Sequence, residues 1–124
     1  MTDLYQEELL DHYKHPRNKG EIVAPDFLAG QENLSCGDKI VMQGKVTDGI
    51  LTHVAFSGTG CVISQAAASM LTELCLGKNI DTILSLSKDD ILKLVGIPLG
   101  PVRLKCALLA LQVLQEGIVK FKNK

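Results

Sequence analysis

Four cysteines are the residues of this chain whose types and spacing could do chemistry. Cys36, Cys61, Cys75 and Cys106 are separated by 25, 14 and 31 positions, so no pair has the short spacing of a zinc knuckle. Any site that they share must therefore be assembled by folding. Taken singly, each cysteine is as easily explained as a small buried apolar residue.

Cys61 and Cys106 are predicted to lie near helix N-termini, where the helix dipole favours a negative charge. Cys61 follows Gly60, which lacks a side chain and lets the backbone approach a bulky inorganic centre. Cys106 follows two cations, Arg103 and Lys105. These surroundings favour the thiolate, which is the form that binds metals and accepts sulfur.

Cys36 and Asp38 frame Gly37 directly before a predicted strand. Gly37, like the glycine before Cys61, leaves room for an inorganic centre close to the backbone. If folding brings this segment to Cys61 and Cys106, the chain offers three thiolates and one carboxylate. That ligand set suits a tetrahedral zinc ion or an iron–sulfur centre, and the residues alone leave both open.

Cys75 is not expected to join this site. On a continuous helix it would lie roughly 21 Å from Cys61, at a rise of about 1.5 Å per residue. It also falls four positions after Leu71 on the apolar side of that helix. We therefore expect Cys75 to be an inert residue of the core.

The histidines offer a different chemistry, that of a cysteine hydrolase with an activated nucleophile. His12 and His15 are expected to end the first helix near Pro16, and His53 to lie on the polar face of a hairpin. None is suitably placed in sequence to activate a cysteine, and we expect none to be a metal ligand. Nucleotide binding is not indicated either, because the glycine-rich turn before Cys61 lacks the lysine of a phosphate loop.

The elements that must position these residues follow from the apolar patterns. Period-two alternation on both sides of Asp48-Gly49 predicts a β-hairpin, because both turn positions need a positive φ. Helical periodicity predicts a first helix stabilised by Tyr5, Leu9 and Tyr13, and a half-buried helix after Cys61. The predicted elements are a helix at 4–13, a strand near 29–34, the hairpin at 39–57, and helices at 61–76, 81–84, 87–96 and 101–121.

The order of these elements, with strands first and helices afterwards, predicts an α+β fold. We expect a small antiparallel three-stranded sheet with helices packed on one face. Asp3 is the predicted N-cap of the first helix, Ser87 starts a later one with Asp90 three positions on, and Pro101 lies in the first turn of the last.

Length and composition predict one domain covering residues 1–124. A net charge of −1, no tryptophan and 4% aromatic residues give no surface for nucleic acid. The uncharged stretch from Gly49 to Thr72 is interrupted by polar residues and alternates like a strand, so no membrane span is expected. The start lacks the pattern of a signal peptide, and we expect a cytoplasmic location.

Four ordered segments resemble the U-type iron–sulfur cluster assembly scaffolds, the family of IscU, SufU and the N-terminal domain of NifU. They are DHYKHPRNKG at 11–20, CGD at 36–38, SGTGCVISQAAASM at 57–70 and PVRLKCALLA at 101–110. The resemblance covers nearly the whole chain, and each segment contains a predicted ligand or a structural signature.

The resemblance implies a scaffold rather than a conventional enzyme. Such a scaffold receives persulfide sulfur from a cysteine desulfurase, adds iron, builds a labile [2Fe–2S] cluster and passes it to acceptor apo-proteins. By position, the cluster ligands would be Cys36, Cys61 and Cys106, and Asp38 would be the exchangeable one that keeps the cluster labile. An oxygen ligand does bind a soft cluster less firmly than a thiolate.

Lys105 departs from the IscU pattern, which has a histidine directly before the third cysteine. A lysine at this position resembles the SufU branch and favours an alternative function. In that function the protein would be a zinc-bound sulfur acceptor that uses the same ligands and relays persulfide sulfur to a separate scaffold. At this position Lys105 would stabilise a thiolate or persulfide, or pair with Asp38. Only 45 positions separate Cys61 from Cys106, which leaves no space for the insertion usual in SufU, so the chain mixes features of both branches.

A second departure lies in Leu99-Gly100-Pro101-Val102-Arg103, where IscU has Leu-Pro-Pro-Val-Lys. In IscU this segment is read by an Hsp70-type chaperone. Glycine replaces a proline and arginine replaces the lysine here. Two interpretations stay open: a weakened chaperone site, or a loop that only starts a helix.

Overall fold

The computed structural model describes residues 2–34 and 37–124. Three strands and five helices follow one another along these residues. The elements are α1 Thr2–Lys14, β1 Phe27–Asn33, β2 Asp38–Thr47, β3 Ile50–Thr59, α2 Val62–Cys75, α3 Ile80–Leu84, α4 Lys88–Val95 and α5 Pro101–Lys122.

The three strands form one antiparallel sheet in the order β1-β2-β3. The turn between β2 and β3 is the predicted one, with φ of 52° at Asp48 and 77° at Gly49. Both values lie in the left-handed region that a two-residue type I′ turn requires. This turn confirms the predicted hairpin, and a bulge between Lys45 and Val46 shifts the pairing by one residue, so that Met42 lies opposite Phe56.

Helices α2 and α5 pack on one face of this sheet, with α5 against β1 and β2 and α2 against β3. Alternate residues of the strands point into the layer between sheet and helices. The largest side chains buried there include Ile40, Met42, Leu51, Phe56, Leu71, Val113, Leu114 and Ile118. The predicted α+β fold, with a three-stranded antiparallel sheet and helices on one face, is confirmed.

The other face of the sheet is crossed by the segment between α1 and β1. The backbone N–H of Ile22 donates to the side-chain oxygen of Gln43 at 3.0 Å, and the Asp26 carboxylate accepts the N–H of Val46 at 2.8 Å. These bonds explain why Gln43, on the face away from the helices, is buried. No period-two or helical pattern marks this segment, so the sequence did not predict its course.

Helix α1 is attached to α2 by polar contacts as well as by Leu9. The Nδ1 atom of buried His12 lies 2.8 Å from Ser69 Oγ, and the backbone N–H of Arg17 donates to the same oxygen at 2.8 Å. Glu73, one turn further along α2, lies 3.8 Å from both His12 Nε2 and Arg17 Nε. The DHYKHPRNKG segment therefore docks α1 onto α2.

Several sequence predictions about these elements were wrong in detail. Of the expected apolar stripe on α1, only Leu9 is buried; Tyr5 and Tyr13 are 45% and 42% exposed. Helix α1 already begins at Thr2, so Asp3 lies within it. Strand β3 continues through Gly58 to Thr59, because Gly58 still pairs with Ile40.

The starts of α4 and α5 are as predicted. Ser87 precedes α4, and its N–H donates to the Asp90 carboxylate at 2.8 Å, which is half of a capping box. Pro101 is the first residue of α5. Within the part of the chain that the structure describes, no helix combines the length and the apolar character needed to cross a membrane.

Candidate metal centre

Cys61 is the N-cap of α2, as its predicted place at the start of a helix requires. Its backbone is extended, with φ of −72° and ψ of 167°, and the N–H of Ser64 donates to its Sγ atom at 3.4 Å. The sulfur thus lies at the positive end of the helix, where negative charge is favoured. Cys61 is exposed, so this sulfur can be reached from solvent.

Asp38, the first residue of β2, is fully buried beside Cys61. Its Oδ1 atom accepts the backbone N–H of Cys61 at 2.9 Å, and its Oδ2 atom lies 3.9 Å from Cys61 Sγ. One oxygen therefore holds the turn before α2, while the other faces the sulfur.

Gly60 makes this close approach possible. A Cβ atom at position 60 would lie 2.2 Å from Asp38 Oδ1 and 2.8 Å from Ser64 Oγ, and the φ of 148° is itself unfavourable for any residue with a side chain. Another group therefore does approach the backbone closely at Gly60, as the sequence predicted. What approaches in the structure is the Asp38 carboxylate.

Cys106 lies in the second turn of α5 and is buried, with 2% of its surface exposed. One ligand atom each from Asp38, Cys61 and Cys106 lie within 4.8 Å of one another. The structure therefore brings together three of the four predicted ligands, although they are separated by 23 and 45 positions in the sequence. Their role as ligands stays a prediction.

Cys36, the fourth predicted ligand, lies outside the described residues. Its neighbour Gly37 has a φ of 71°, which favours glycine, and the N–H of Gly37 donates to the carbonyl of Asn33 at 2.8 Å. This hydrogen bond joins the last residue of β1 to the residue directly before β2.

An apolar cavity of about 540 Å³ opens beside the sulfurs of the candidate centre. Cys61 and Cys106 line it together with residues of α1 and Arg103. Lys105 instead lines a separate groove with Glu32, Asn33 and Leu34, directly before the segment that leads to Cys36. The two cations that precede Cys106 thus lie on different sides of α5.

The segment that resembles a chaperone-binding motif forms the start of α5. Gly100 is the N-cap, and Val102 is 64% exposed. Nothing in the structure tests whether a chaperone binds there.

Cys75 lies at the other end of α2, in the core, with 1% of its surface exposed. Burial raises the pKa of its thiol to about 12, because a charged thiolate is unfavourable in apolar surroundings. The expected place of Cys75 in the core is confirmed, and its inertness stays a prediction. Among the described residues the metal-binding group contains none of the histidines; His15 and His53 are exposed.

Sequence reasoning missed two residues behind Cys61. Ser64 and Gln65 are buried, the Ser64 hydroxyl donates to the Cys61 carbonyl at 3.1 Å, and Gln65 Nε2 donates to Ser64 Oγ at 3.2 Å. The position of Ser64, three residues after an N-cap, was a readable signal for the bond to sulfur. Nothing in the sequence indicated the role of Gln65.

Comparisons with known proteins show relatives named as sulfurtransferases and relatives named as scaffolds. The zinc-dependent sulfurtransferase SufU of Bacillus subtilis is 37% identical over 137 residues, covering 97% of this chain and 92% of the relative. The iron–sulfur cluster assembly scaffold protein IscU of Thermotoga maritima is 33% identical over 136 residues, covering 97% and 96%. Both alignments are longer than the 124 residues of this chain, so both relatives contain additional residues. The length of this chain therefore does not decide whether it is more similar to SufU or to IscU.

Solved structures agree with the observed fold. A putative iron–sulfur cluster assembly scaffold protein for the SUF system from Fervidobacterium islandicum superimposes with a TM-score of 0.81 at 23% identity, covering 94% of this chain and 98% of the other. At that identity the likeness shows the fold alone. Residues 4–124 match the family described as the NifU-like N terminal domain. The chain therefore belongs to this family of IscU- and SufU-type scaffolds.

Proposed function

We propose that this protein is an iron–sulfur cluster assembly scaffold. It accepts persulfide sulfur from a cysteine desulfurase, binds iron, builds a labile [2Fe–2S] cluster and transfers it to acceptor proteins in the cytoplasm. The observation that carries the proposal is the buried carboxylate of Asp38 within 4.8 Å of two cysteine sulfurs. The family to which the chain belongs also supports a scaffold function.

The spacing of the three described side chains fits one metal centre. Thiolate sulfur binds zinc at about 2.3 Å and carboxylate oxygen at about 2.0–2.2 Å, so two ligands of one tetrahedral ion lie up to about 4 Å apart. Separations of at most 4.8 Å need only small side-chain adjustments. Cys36 would complete the set in this proposal.

Asp38 is the ligand that makes release possible. Its oxygen is a harder donor than the cysteine sulfurs, and a soft cluster exchanges the hard ligand first. The hydrogen bond from the Cys61 N–H to Oδ1 keeps the carboxylate in place while Oδ2 binds or leaves. The thiolate of an acceptor protein enters at the position that Oδ2 gives up.

The cavity beside Cys61 and Cys106 provides the route for sulfur. It is lined mainly by apolar side chains, with Arg103 among them, and Cys61 is exposed beside it. A partner can therefore bring a persulfide to the candidate centre without passing through the core. In this proposal the desulfurase is that partner.

A zinc-dependent sulfurtransferase is the second candidate function. The identity of 37% to a protein of that name and the lysine at position 105 favour it. Zinc would be held by the same four side chains, and exchange at the metal would free one thiolate. That thiolate attacks the outer sulfur of the desulfurase persulfide, a new S–S bond forms as the old one breaks, and the desulfurase thiolate leaves.

Anaerobic reconstitution with ferrous iron and sulfide, with metal analysis of the purified protein, distinguishes the two candidates. For the scaffold we expect a visible absorption spectrum of a [2Fe–2S] cluster that decays when an apo-ferredoxin-type acceptor is added. Stoichiometric zinc that resists replacement by iron, with faster persulfide release from the desulfurase, would instead support the sulfurtransferase.

Asp38 variants test the role of the exchangeable ligand. We expect Asp38→Ala and Asp38→Asn to lengthen the lifetime of a reconstituted cluster, because neither side chain supplies the anionic oxygen whose exchange is proposed to start the transfer. The measurement is the decay of cluster absorbance in the presence of an acceptor. Asparagine can still accept the Cys61 N–H, so it controls for loss of that hydrogen bond.

The two variants also separate exchange from structure. If only Asp38→Ala differs from the wild type, the effect comes from the hydrogen bond to Cys61. If both variants fail to assemble any cluster, Asp38 is required for assembly and the proposed exchangeable role is wrong.

A further inference from the structure

Gln65 is a buried polar residue that stability alone does not explain. Its side chain lies on α2 and is 7% exposed. The Nε2 atom donates to Ser64 Oγ at 3.2 Å, while Oε1 has no hydrogen-bond partner among the residues that the structure describes. A buried amide oxygen without a partner lowers stability, so an apolar side chain of the same shape would suit the fold at least as well.

The orientation of the Gln65 amide follows from its neighbours. The hydroxyl of Ser64 donates its one proton to the carbonyl of Cys61 at 3.1 Å. Ser64 Oγ can therefore only accept from Gln65, which requires Nε2 rather than Oε1 at this contact. The unpaired atom is thus the oxygen, because the bond to Cys61 determines which end of the amide faces Ser64.

Ser64 in turn touches the candidate centre at several points. Its backbone N–H donates to Cys61 Sγ at 3.4 Å, and its hydroxyl donates to the carbonyl of the same residue. A Cβ atom on Gly60 would lie 2.8 Å from Ser64 Oγ and 2.2 Å from Asp38 Oδ1. Ser64 therefore lies directly against the Gly60-Cys61 turn, on the same side as Asp38.

We propose that Ser64 and Gln65 are positioning residues for the candidate metal centre. Gln65 occupies one acceptor site of the Ser64 hydroxyl and so directs its proton to the Cys61 carbonyl. This bond fixes the turn, and the turn sets where Cys61 Sγ lies relative to Asp38. The inference rests on the proposed function and adds to it the residues that hold the ligands in place.

This arrangement explains why an unpaired oxygen is kept next to the site. Residues that hydrogen-bond to a metal ligand set its orientation, and their loss typically lowers metal affinity about 10–100-fold. Oε1 then stays unpaired because the amide is oriented so that Nε2 donates to Ser64 Oγ. A purely structural glutamine would be expected to have both ends of its amide paired.

Gln65→Met is the variant that tests the proposal. Methionine has a similar length and no amide, so it removes both the unpaired oxygen and the bond to Ser64. We expect unfolding in urea to occur at an equal or higher denaturant concentration than in the wild type. We expect the affinity for Zn²⁺ alone, measured anaerobically by competition with a chromophoric chelator, to fall about tenfold.

Ser69→Ala is the matched control on the same helix. It removes the contacts of Ser69 with His12 and with the Arg17 N–H, at a distance from Cys61. It should unfold at a lower urea concentration and keep the Zn²⁺ affinity of the wild type. Ser64→Ala is a second variant that should lower both, because it also leaves Gln65 Nε2 without its partner.

The results distinguish failure of the positioning role from failure of the proposed function. If Gln65→Met binds Zn²⁺ as tightly as the wild type, the positioning role is wrong, whereas the proposed function is unaffected. If Gln65→Met loses stability and affinity together, Gln65 is a structural residue and the inference is overturned. If the wild type itself binds no Zn²⁺ and assembles no cluster, the proposed function fails.

Discussion

Asp38 combines two tasks that are usually divided between residues. Its Oδ1 atom accepts a backbone N–H of the turn that carries Cys61, and its Oδ2 atom lies 3.9 Å from that cysteine's sulfur. The side chain is fully buried, so its position does not depend on solvent. In the proposed centre, a ligand that binds metal weakly would thus be strongly fixed in space.

His12 makes stability depend on pH. Burial lowers the pKa of His12 below its ordinary value of 6.5, and Arg17 lowers it further, while Glu73, Glu8 and Asp11 act in the opposite direction. The unfolded chain therefore binds a proton more readily than the folded one, and protonation favours unfolding. The stabilising contribution is fully present above pH 6.5 and is lost as the pH falls through the lowered pKa.

We expect the free energy of unfolding, measured in urea, to fall between pH 8 and pH 5.5. In His12→Gln this dependence should flatten, because His15 and His53 are exposed and remain in both proteins. A His12→Gln variant with the same pH dependence as the wild type would show that another group causes it.

At the residue scale, the sequence predicted which candidate ligands lie together better than it predicted their surroundings. The chemistry of Cys61, Cys106 and Asp38 can be recognised from residue type and from the segments that contain them. The burial of His12 could not be predicted, because its partner Ser69 is 57 positions away. Pairings over such distances depend on how two helices dock.

At the element scale, one aromatic ring fills a close contact between α5 and the sheet. Phe27 of β1 is buried between Gly117 of α5 and Gly44 of β2. A Cβ atom would lie 2.5 Å from the ring at position 117 and 2.3 Å at position 44. The two glycines create the space for the ring, which gives Gly117 a packing role inside a helix.

Gly117→Ala tests this contact, because two effects oppose each other. Alanine favours a helix interior by about 1 kcal/mol, whereas overpacking costs about 1–3 kcal/mol. The ring cannot retreat, since Gly44 closes its other side, and we expect a net loss of up to about 2 kcal/mol in the free energy of unfolding. Denaturation in urea measures it.

Phe27→Leu should reverse the sign of this effect. With a smaller side chain at position 27, the alanine at 117 no longer collides, and its helix preference should make it neutral or stabilising. If Gly117→Ala destabilises both backgrounds equally, the ring contact is not the cause.

Elements and limits with a local signal were predicted well, whereas limits without one were not. Asp48-Gly49, the Ser87 cap and Pro101 each determine structure over a few residues, so the sequence reveals them. Gly58 was expected to end β3, yet the pairing with Ile40 continues the strand. The segment on the second face of the sheet has no periodic pattern, because a short backbone bridge between Lys19 and Phe56 and separate bonds such as that to Gln43 hold it there.

At the scale of the whole molecule, the candidate centre connects three elements. Asp38 begins β2, Cys61 caps α2, and Cys106 lies on α5. These residues meet only in the folded chain, so a metal bound by all three binds the folded state more tightly than the unfolded one. Binding of this kind adds directly to stability.

We expect Zn²⁺ to raise the free energy of unfolding by at most about 2.7 kcal/mol at a free concentration one hundred times the dissociation constant. Urea denaturation with and without the metal measures the gain. Cys106→Ser should lose most of it, whereas Cys75→Ser should be less stable overall and keep it, since Cys75 lies in the core. An equal gain in all three proteins would indicate binding elsewhere.

The contrast between the two cysteines of α2 has a consequence for damage by oxidants. Peroxide attacks the thiolate, and Cys75, with a pKa of about 12 and 1% exposure, presents almost none. Cys61, at the accessible end of the same helix, presents its sulfur at the surface. Oxidation on this helix is thus expected at Cys61 rather than at Cys75, so it should leave the core packing intact and be reversed by reduction of the Cys61 sulfenic acid.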